Sequence, residues 1–475
     1  MAVDLDEEWD EDLRSADPLR TPGYAERLAA LPHESVRTGR TATHVVVEGC
    51  FDALGGSMGV VHGERVVRAF DRARELGLPV VCHTRSGGAR MQEGMVSLLQ
   101  MGRVASAVRR HGEAGLLSVA VLRSPTTGGV LASYASLCDV RVAEAGAVVG
   151  FAGPRVVAHT TGEEVEGRSH TAETALAAGL VDAVRPPDQL DRWVDVALGL
   201  RPAPLAPRSL PVGGGPVPTA GGDPGVGGPP AAPSVAAPSG AWAEVVAARR
   251  LDRPTGVDVA AHLCASWLEL GGADRTVRTA LARIGPTDVV VVASDRHAGT
   301  GRPGVAGFRQ ARRAMALAGR LGRPLVTLVD TPGAEPGPAS ENAGIAGEIA
   351  ATFAALDGVQ VPTVGVCVGE GGSGGALALA WTDVLLVQEH AVFSVIGPEG
   401  AALILERDAT RAPAVAEHLG LTSGQLLGLG VVDAVVPDDL AATSAAVGEA
   451  LSAAVVGRRR SRPDAVSAAA LGRPG

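Results

Sequence analysis

Lysine is absent from this sequence: all 42 basic residues are arginine. A Schiff base, a P-loop phosphate site and a biotinylated or acylated side chain each need a lysine amine, so none of these can be built on this chain. Cysteine is scarce, with five residues scattered as Cys50, Cys82, Cys138, Cys264 and Cys367 and no C-x-x-C pair. Such a set makes neither a zinc ribbon nor a disulfide framework, and buried thiols acting as small hydrophobes are expected. No apolar run reaches the roughly 18 residues that a membrane span needs. The opening "MAVDLDEEWDEDLRSADP" is acidic where a secretory signal is basic and then apolar. A formal charge of −10 leaves no basic footprint for nucleic acid. The expectation is a cytoplasmic protein that binds neither nucleic acid nor membrane.

What is present is 475 residues with 46% apolar content, too long for one ordinary core and suited to two domains of roughly 200 residues. Residues 201–241 are almost wholly Pro, Gly, Ala, Val and Ser, which predicts a disordered linker. It separates a first domain, 19–200, from a second, 242–458, and the tail beyond Arg458 is expected to fray. The two parts repeat each other. "ERVVRAFDRARELGLPVVCHTRSGGARMQEG" and "AGFRQARRAMALAGRLGRPLVTLVDTPGAEPG" both run helix, Gly-x-Pro, buried strand, Gly-rich turn. "LSVAVLRSPTTGGVLASYASLCDV" and "PTVGVCVGEGGSGGALALAWTDV" follow as strand, Gly-Gly turn, small-residue helix and Asp-Val. Both parts close on a similar phrase, "AAGLVDAV" and "GLGVVDAV". Two α/β domains of one fold are expected.

The stretch "VGEGGSGGA", Val368 to Ala376, satisfies both G-x-G-x-x-G and G-x-S-x-G. As a dinucleotide fingerprint it would use Glu389 as its acidic residue, but a fingerprint normally opens its domain and this one lies deep inside. As a nucleophile elbow it would need Ser373 with Asp383 and either His390 or His418. The repeat favours a third reading, because the feature kept in both copies is a Gly-Gly pair before a helix, Gly128-Gly129 and Gly374-Gly375. Bare amides at a helix start hold an oxyanion. Each copy adds a second glycine turn, "SGGAR" at Ser86–Arg90 and "TPGAEPG" at Thr331–Gly337, so each offers a two-donor hole.

"FDALGGSMGVVHGERV", "SGGARMQEGMVSLLQM", "SPTTGGVLASYASLCDV" and "VGFAGPRV" resemble the beta subunit of the bacterial acetyl-CoA carboxylase carboxyltransferase. "LDRPTGVD", "GFRQARRAMALA", "VDTPGAEPG", "GEGGSGGALALA" and "FSVIGPEGAA" resemble its alpha subunit, so the chain resembles a beta-alpha fusion. The resemblance implies two tandem crotonase-like superhelical domains, a beta-type domain holding acyl-CoA and an alpha-type domain of the other half of a dimer holding carboxybiotin. It places Ala89 and the Gly128-Gly129 turn at the thioester oxygen. It places Gly333, Ala334, Gly374, Gly375 and Ala376 at the biotin ureido carbonyl. Gly88 and Arg90, with Arg296 and Arg302 of the second part, are the candidate contacts for CoA, its phosphates or the carrier. The implied partners are a biotin carboxylase and a biotin carboxyl carrier protein, with a homodimer or larger assembly.

Two departures from the family stand out. The four-cysteine zinc ribbon of the beta subunit is missing, so no zinc is expected, and the alpha-type loop is shortened to "DRHAGTGRPG". Glu93 reads as a first-turn carboxylate opposing the dipole of its own helix. Acetyl-CoA is the expected acceptor. Propionyl-CoA, a malonyl-thioester decarboxylase or hydrolase on the same holes, and a non-catalytic scaffold are the alternatives.

Overall fold

The computed structural model describes residues 3–162, 165, 169–201 and 239–472, so most of the expected linker lies outside the described residues. Eight strands form the first sheet: β1 (Glu7–Glu8), β2 (Val36–Arg40), β3 (Val45–Gly49), β4 (Val80–Ser86), β5 (Ser118–Thr127), β6 (Val140–Glu144), β7 (Val149–Gly150) and β8 (Ala183–Arg185). Eight more form the second: β9 (Ser266–Glu269), β10 (Val277–Ile284), β11 (Thr287–Ser294), β12 (Leu325–Thr331), β13 (Thr363–Gly372), β14 (Val384–Gln388), β15 (Val392–Ser394) and β16 (Ala434–Val436). The orders are β1-β2-β3-β4-β5-β6-β8 and β9-β10-β11-β12-β13-β14-β16, with β7 on β5 and β15 on β13. The duplication read from the motifs is thus a duplication of topology, strand for strand.

In each sheet the first two pairings are antiparallel and the rest parallel. The central parallel strands are continuous apolar runs because both of their faces are covered. The longest strand of each half serves two neighbours. β5 pairs with β6 over Val119–Leu122 and with β7 over Thr126–Thr127, while β13 pairs with β14 over Val364–Cys367 and with β15 over Glu370–Gly372. The second pairing carries the strand end out of the main sheet, and a glycine turn follows it directly.

Local chemistry explains why the repeat is so regular. The helices Val60–Leu76 and Val305–Leu321 both stop at a left-handed glycine, Gly77 (φ 67) and Gly322 (φ 64), which satisfies last-turn carbonyls as only glycine does without strain. A proline two residues on forbids continuation, and the chain enters β4 or β12.

Each half keeps a small apolar cluster of its own, around Val119 and Val142 in the first and around Val289 and Val364 in the second. A larger cluster runs through both, and the helix Gly94–Glu113, buried along most of its length, lies between them. Gly102 faces the Trp381 ring, Ser106 Oγ and Arg109 Nε each donate to Asp357 at 2.9 Å, and Gln100 Nε2 donates to Ser467 Oγ at 2.9 Å. Two expectations are corrected here. The tail beyond Arg458 does not fray: Arg458–Ala470 is a helix, and Arg103 pairs with its Asp464 at 2.6 Å. The first sheet also begins before residue 19, because β1 adds its edge strand.

Cys82, Cys138 and Cys367 are buried thiols, as expected, and Cys50 and Cys264 are half-buried. No single helix among the described residues is long and apolar enough to cross a membrane.

A Cβ on Gly102 would sit 2.5 Å from Trp381 ring carbons. Gly102→Ala should therefore cost about 1–3 kcal/mol through overpacking at the junction, read as a lowered melting temperature.

Candidate functional site

Each half brings its two glycine turns together by pairing the ends of adjacent strands, Ser86 with Thr126 and Thr331 with Gly371. In the first turn of each half a hydroxyl closes the loop. The Gly88 N–H donates to Ser86 Oγ at 3.0 Å, and the Gly333 N–H donates to Thr331 Oγ1 at 3.2 Å. Both glycines are left-handed, at φ 114 and 123. The next amides, of Ala89 and Ala334, donate to no protein group among the described residues, and both residues line the same cavity.

The second turns correct the alignment read from the sequence. β5 ends at Thr127 and β13 at Gly372, and the next residues, Gly128 and Ser373, share φ 57. Ser373 therefore stands where Gly128 stands, and Gly374 answers Gly129. The separation of the two turns is then identical in the halves. Gly375 and Ala376 fall one and two residues deeper, away from the cavity lining. Gly375 is a packing glycine whose Cβ would meet the Ala334 nitrogen at 2.6 Å. The Gly128 amide is itself committed, donating to the Phe151 carbonyl at 3.0 Å. Its role is conformational, since a Cβ there would lie 2.7 Å from Gly88 Cα. Among the described residues the amides without a protein acceptor are those of Ala89 and Gly129 in one half and of Ala334 and Gly374 in the other; the first three residues line the cavity, and Gly374 lies just behind the lining, under the Met101 thioether.

A cavity of about 610 Å³ lies between the halves and is lined by Gly88, Ala89, Gly128, Gly129, Gly333, Ala334 and Ser373. One chain thus contributes both turn systems to one space. Met101, from the Gly94–Glu113 helix, stands between them. Its thioether would touch a Cβ on Gly129 at 3.4 Å and one on Gly374 at 2.6–2.8 Å. Sequence reading missed Met101, because an apolar residue on an apolar helix carries no sign that it faces a cavity.

The charged lining is mostly spoken for. Arg249 bonds both oxygens of Glu370, at 3.0 and 2.7 Å, and pairs with Glu399 at 2.6 Å. Arg296 donates through Nη1 to the Ala248 carbonyl at 2.7 Å and to Asp330 at 3.3 Å, so the charge expected to meet CoA phosphates or the carrier is shared with a buried acid. Burial pushes the Asp330 carboxyl up to about 6 against the pull of Arg296. Arg302 reaches the cavity with one hydrogen bond, to the Pro332 carbonyl at 3.2 Å, and no carboxylate partner among the described residues.

Arg90 is likewise corrected. Its guanidinium is fully buried away from the cavity and pairs with Glu34, Ser35 Oγ and the Ser57 carbonyl. Glu93 caps a different helix from the one expected, accepting the Val60 N–H at 2.6 Å along with the Tyr24 hydroxyl.

The rival readings of "VGEGGSGGA" fail on position. Gly369 and Gly371 lie inside β13 and are packing glycines against Asp330 and Phe393, not a phosphate turn, and Glu389 is exposed. Ser373 has the strained elbow, but Asp383 is buried on Thr363, His390 is exposed against Glu244, and His418 is exposed. No histidine stands among the described lining residues, and no group of three metal-ligating side chains occurs among the described residues.

Fold and site define the class: a duplicated α/β protein whose facing glycine turns share one cavity. Family models match both halves, "Carboxyl transferase domain" over residues 18–190 and "Acetyl co-enzyme A carboxylase carboxyltransferase-like" over 235–457. The chain is 40% identical to the acetyl-coenzyme A carboxylase carboxyl transferase subunits beta/alpha of Parafrankia sp., covering 94% of this chain and 79% of the relative. It is 38% identical to a probable biotin-dependent acyl-coenzyme A carboxylase beta3 subunit of Mycobacterium bovis, covering 90% and 86%. A transcarboxylase 12S structure, described as a hexamer assembly with methylmalonyl-coenzyme A bound, aligns with TM-score 0.40 at 24% identity over 90% of this chain and 83% of that one. The chain belongs to the carboxyltransferase family of biotin-dependent acyl-CoA carboxylases, with beta- and alpha-type units in one polypeptide.

Ser373→Gly should leave the melting temperature unchanged or slightly raised, because relief of roughly 1 kcal/mol of left-handed strain offsets the chain-entropy cost of glycine. Gly128→Ser should lower it clearly, and a calorimetric comparison of the pair tests the corrected register. Separately, burial would raise the Glu34 carboxyl, but Arg90 and the Ser35 N–H hold it down to about 2. A depressed carboxylate adds stability above its unfolded value of about 4.5 that is lost as pH falls toward 2, roughly 3 kcal/mol in all. Acid titration of Glu34→Gln should lack that loss while starting from a lower stability at pH 7.

Proposed function

We propose that this chain transfers the carboxyl group of carboxybiotin, borne by a separate carrier protein, to acetyl-CoA, giving malonyl-CoA. The observation that carries the reading is the meeting of the glycine turns of both halves on one cavity, with Met101 between them. In this reading residues 19–200 form the acyl-CoA unit and 242–458 the carboxybiotin unit. The two turns of each half are packed backbone against backbone, since a Cβ at Gly128 would meet Gly88 and one at Gly375 would meet Ala334.

The amides of Ala89 and Gly129 hold the thioester oxygen as negative charge grows on it during enolate formation. Those of Ala334 and Gly374 hold the ureido carbonyl oxygen. Carboxybiotin, when bound, supplies CO2 and a basic nitrogen. The protein's own carboxylates in the lining do not act as bases here, because Arg249 holds Glu370 and Glu399. Arg302, beside Gly333 and without a carboxylate partner among the described residues, would orient the carboxylate of the bound donor. The Ser373 hydroxyl, with no partner among the described residues, adds a neutral donor on the same side. A biotin carboxylase and a carrier protein are the partners, and a homodimer or larger assembly of this chain is part of the proposal.

Propionyl-CoA is the second reading, because the unbranched Met101 side chain gives way easily and one methylene is worth only about 1–3 kcal/mol.

The test uses purified protein with malonyl-CoA or methylmalonyl-CoA, without ATP, with and without biocytin, and follows acyl-CoA products by mass. Acetyl-CoA formed only with biocytin is the expected result; propionyl-CoA formed faster would reassign the acceptor. Product formed equally without biocytin would overturn the carboxyltransferase reading. Arg302→Gln should lower kcat for this transfer by about 10²-fold.

A further inference from the structure

We infer that Glu341 is a positioning residue through which the second half shapes the amide pair of the first. Glu341 sits in the short helix Pro338–Asn342, directly after the Thr331–Gly337 turn. Its side chain is 6% exposed and crosses to the first half. There Oε2 accepts the Phe151 N–H at 2.8 Å and Oε1 accepts the Ala152 N–H at 2.8 Å. Two consecutive backbone donors on one carboxylate fix the orientation of the peptide between them, because each oxygen takes one hydrogen.

That peptide is the one whose carbonyl accepts the Gly128 N–H at 3.0 Å. The hydrogen bonds therefore run in series from the carboxylate, through the Phe151–Ala152 peptide, to the amide directly before Gly129. Bonds aligned this way polarise one another in the same sense. His170 braces the same loop. Its Nε2 donates to the Ala152 carbonyl at 2.8 Å and lies 3.5 Å from Glu341 Oε1, while Ser169 Oγ lies 2.6 Å from Nδ1. The Ala152 carbonyl can only accept, so the proton is on Nε2.

No other acceptor among the described residues takes these two half-buried donors, and each is a charge-assisted bond that an ordinary surface contact does not match. One short segment of the second half thus does two things. It presents the Ala334 amide at one end, and at the other it holds the loop on which Gly128 hangs. The first half has its amide pair in shape only when docked on the second. The catalytic consequence rests on the function proposed above; the clamp itself does not.

The experiment compares Glu341→Gln and Glu341→Asp with the wild type in three measurements: amide hydrogen exchange by mass, kcat and KM for malonyl-CoA with biocytin, and equilibrium binding of CoA. Glu341→Gln keeps one accepting oxygen and loses the charge. It should speed exchange in peptides covering 126–131 and 148–153 by roughly tenfold, the worth of one charge-assisted hydrogen bond, and leave 331–337 unchanged. It should lower kcat by a similar factor while KM and CoA binding stay within about twofold. Glu341→Asp, which keeps the charge at shorter reach, should fall between. Wild-type exchange in both peptides would overturn the inference. So would exchange raised evenly across the interface with Asp no better than Gln, which describes a plain structural contact. If the wild type transfers nothing to biocytin, the proposed function fails, and the exchange pattern still decides the clamp.

Discussion

The docking of the Gly94–Glu113 helix against the second half is the constraint on which the rest of the molecule depends. At Gly102 the helix backbone comes close enough to Trp381 that no side chain fits between them. The same helix carries Met101 to the point where the glycine turns of the two halves approach. Ion pairs from Arg103 and Arg109 reach residues far along the chain, Asp464 and Asp357. A buried helix of small and apolar residues can do this because close packing over a long contact is individually weak and collectively large.

Within each half the site follows from strand pairing. A strand long enough to serve two neighbours leaves the main sheet at its end, and the chain must turn sharply into a helix. Left-handed backbone at Gly128 and Ser373 makes the turn, and the helix start then faces the cavity with bare amides. Having glycine at one of these positions and serine at the other shows that the turn needs a backbone shape first and a residue type second. The charged groups around the cavity have been paired off in the same economical way, with Arg249 and Arg296 serving neighbouring acids and Arg302 left over.

The misreadings of the sequence have a common cause. Identical letters align Gly374-Gly375 with Gly128-Gly129, whereas the equivalence is set by where β5 and β13 end. Arg90 and Glu93 follow a glycine turn in the sequence, and nothing in that spacing says that one turns inward to Glu34 and the other caps a helix that begins at Val60. Glu341 was invisible for the same reason: its partners lie in the other half of the chain, at Phe151 and Ala152.

The sequence by itself determined the duplication, the alternation of strand and helix, the family, and the four glycine turns that line the candidate site. Each of these is local, written in hydrophobic period, glycine and proline over a few tens of residues. The tertiary structure alone decided which amides stay free, which arginines are already paired, that the tail after Arg458 is a packed helix, and that both turn systems open on one cavity within a single chain. Those facts depend on contacts between residues from tens to hundreds of positions apart. Hydrogen bonds and ion pairs of that range are selected by how two surfaces fit, which no stretch of either surface records.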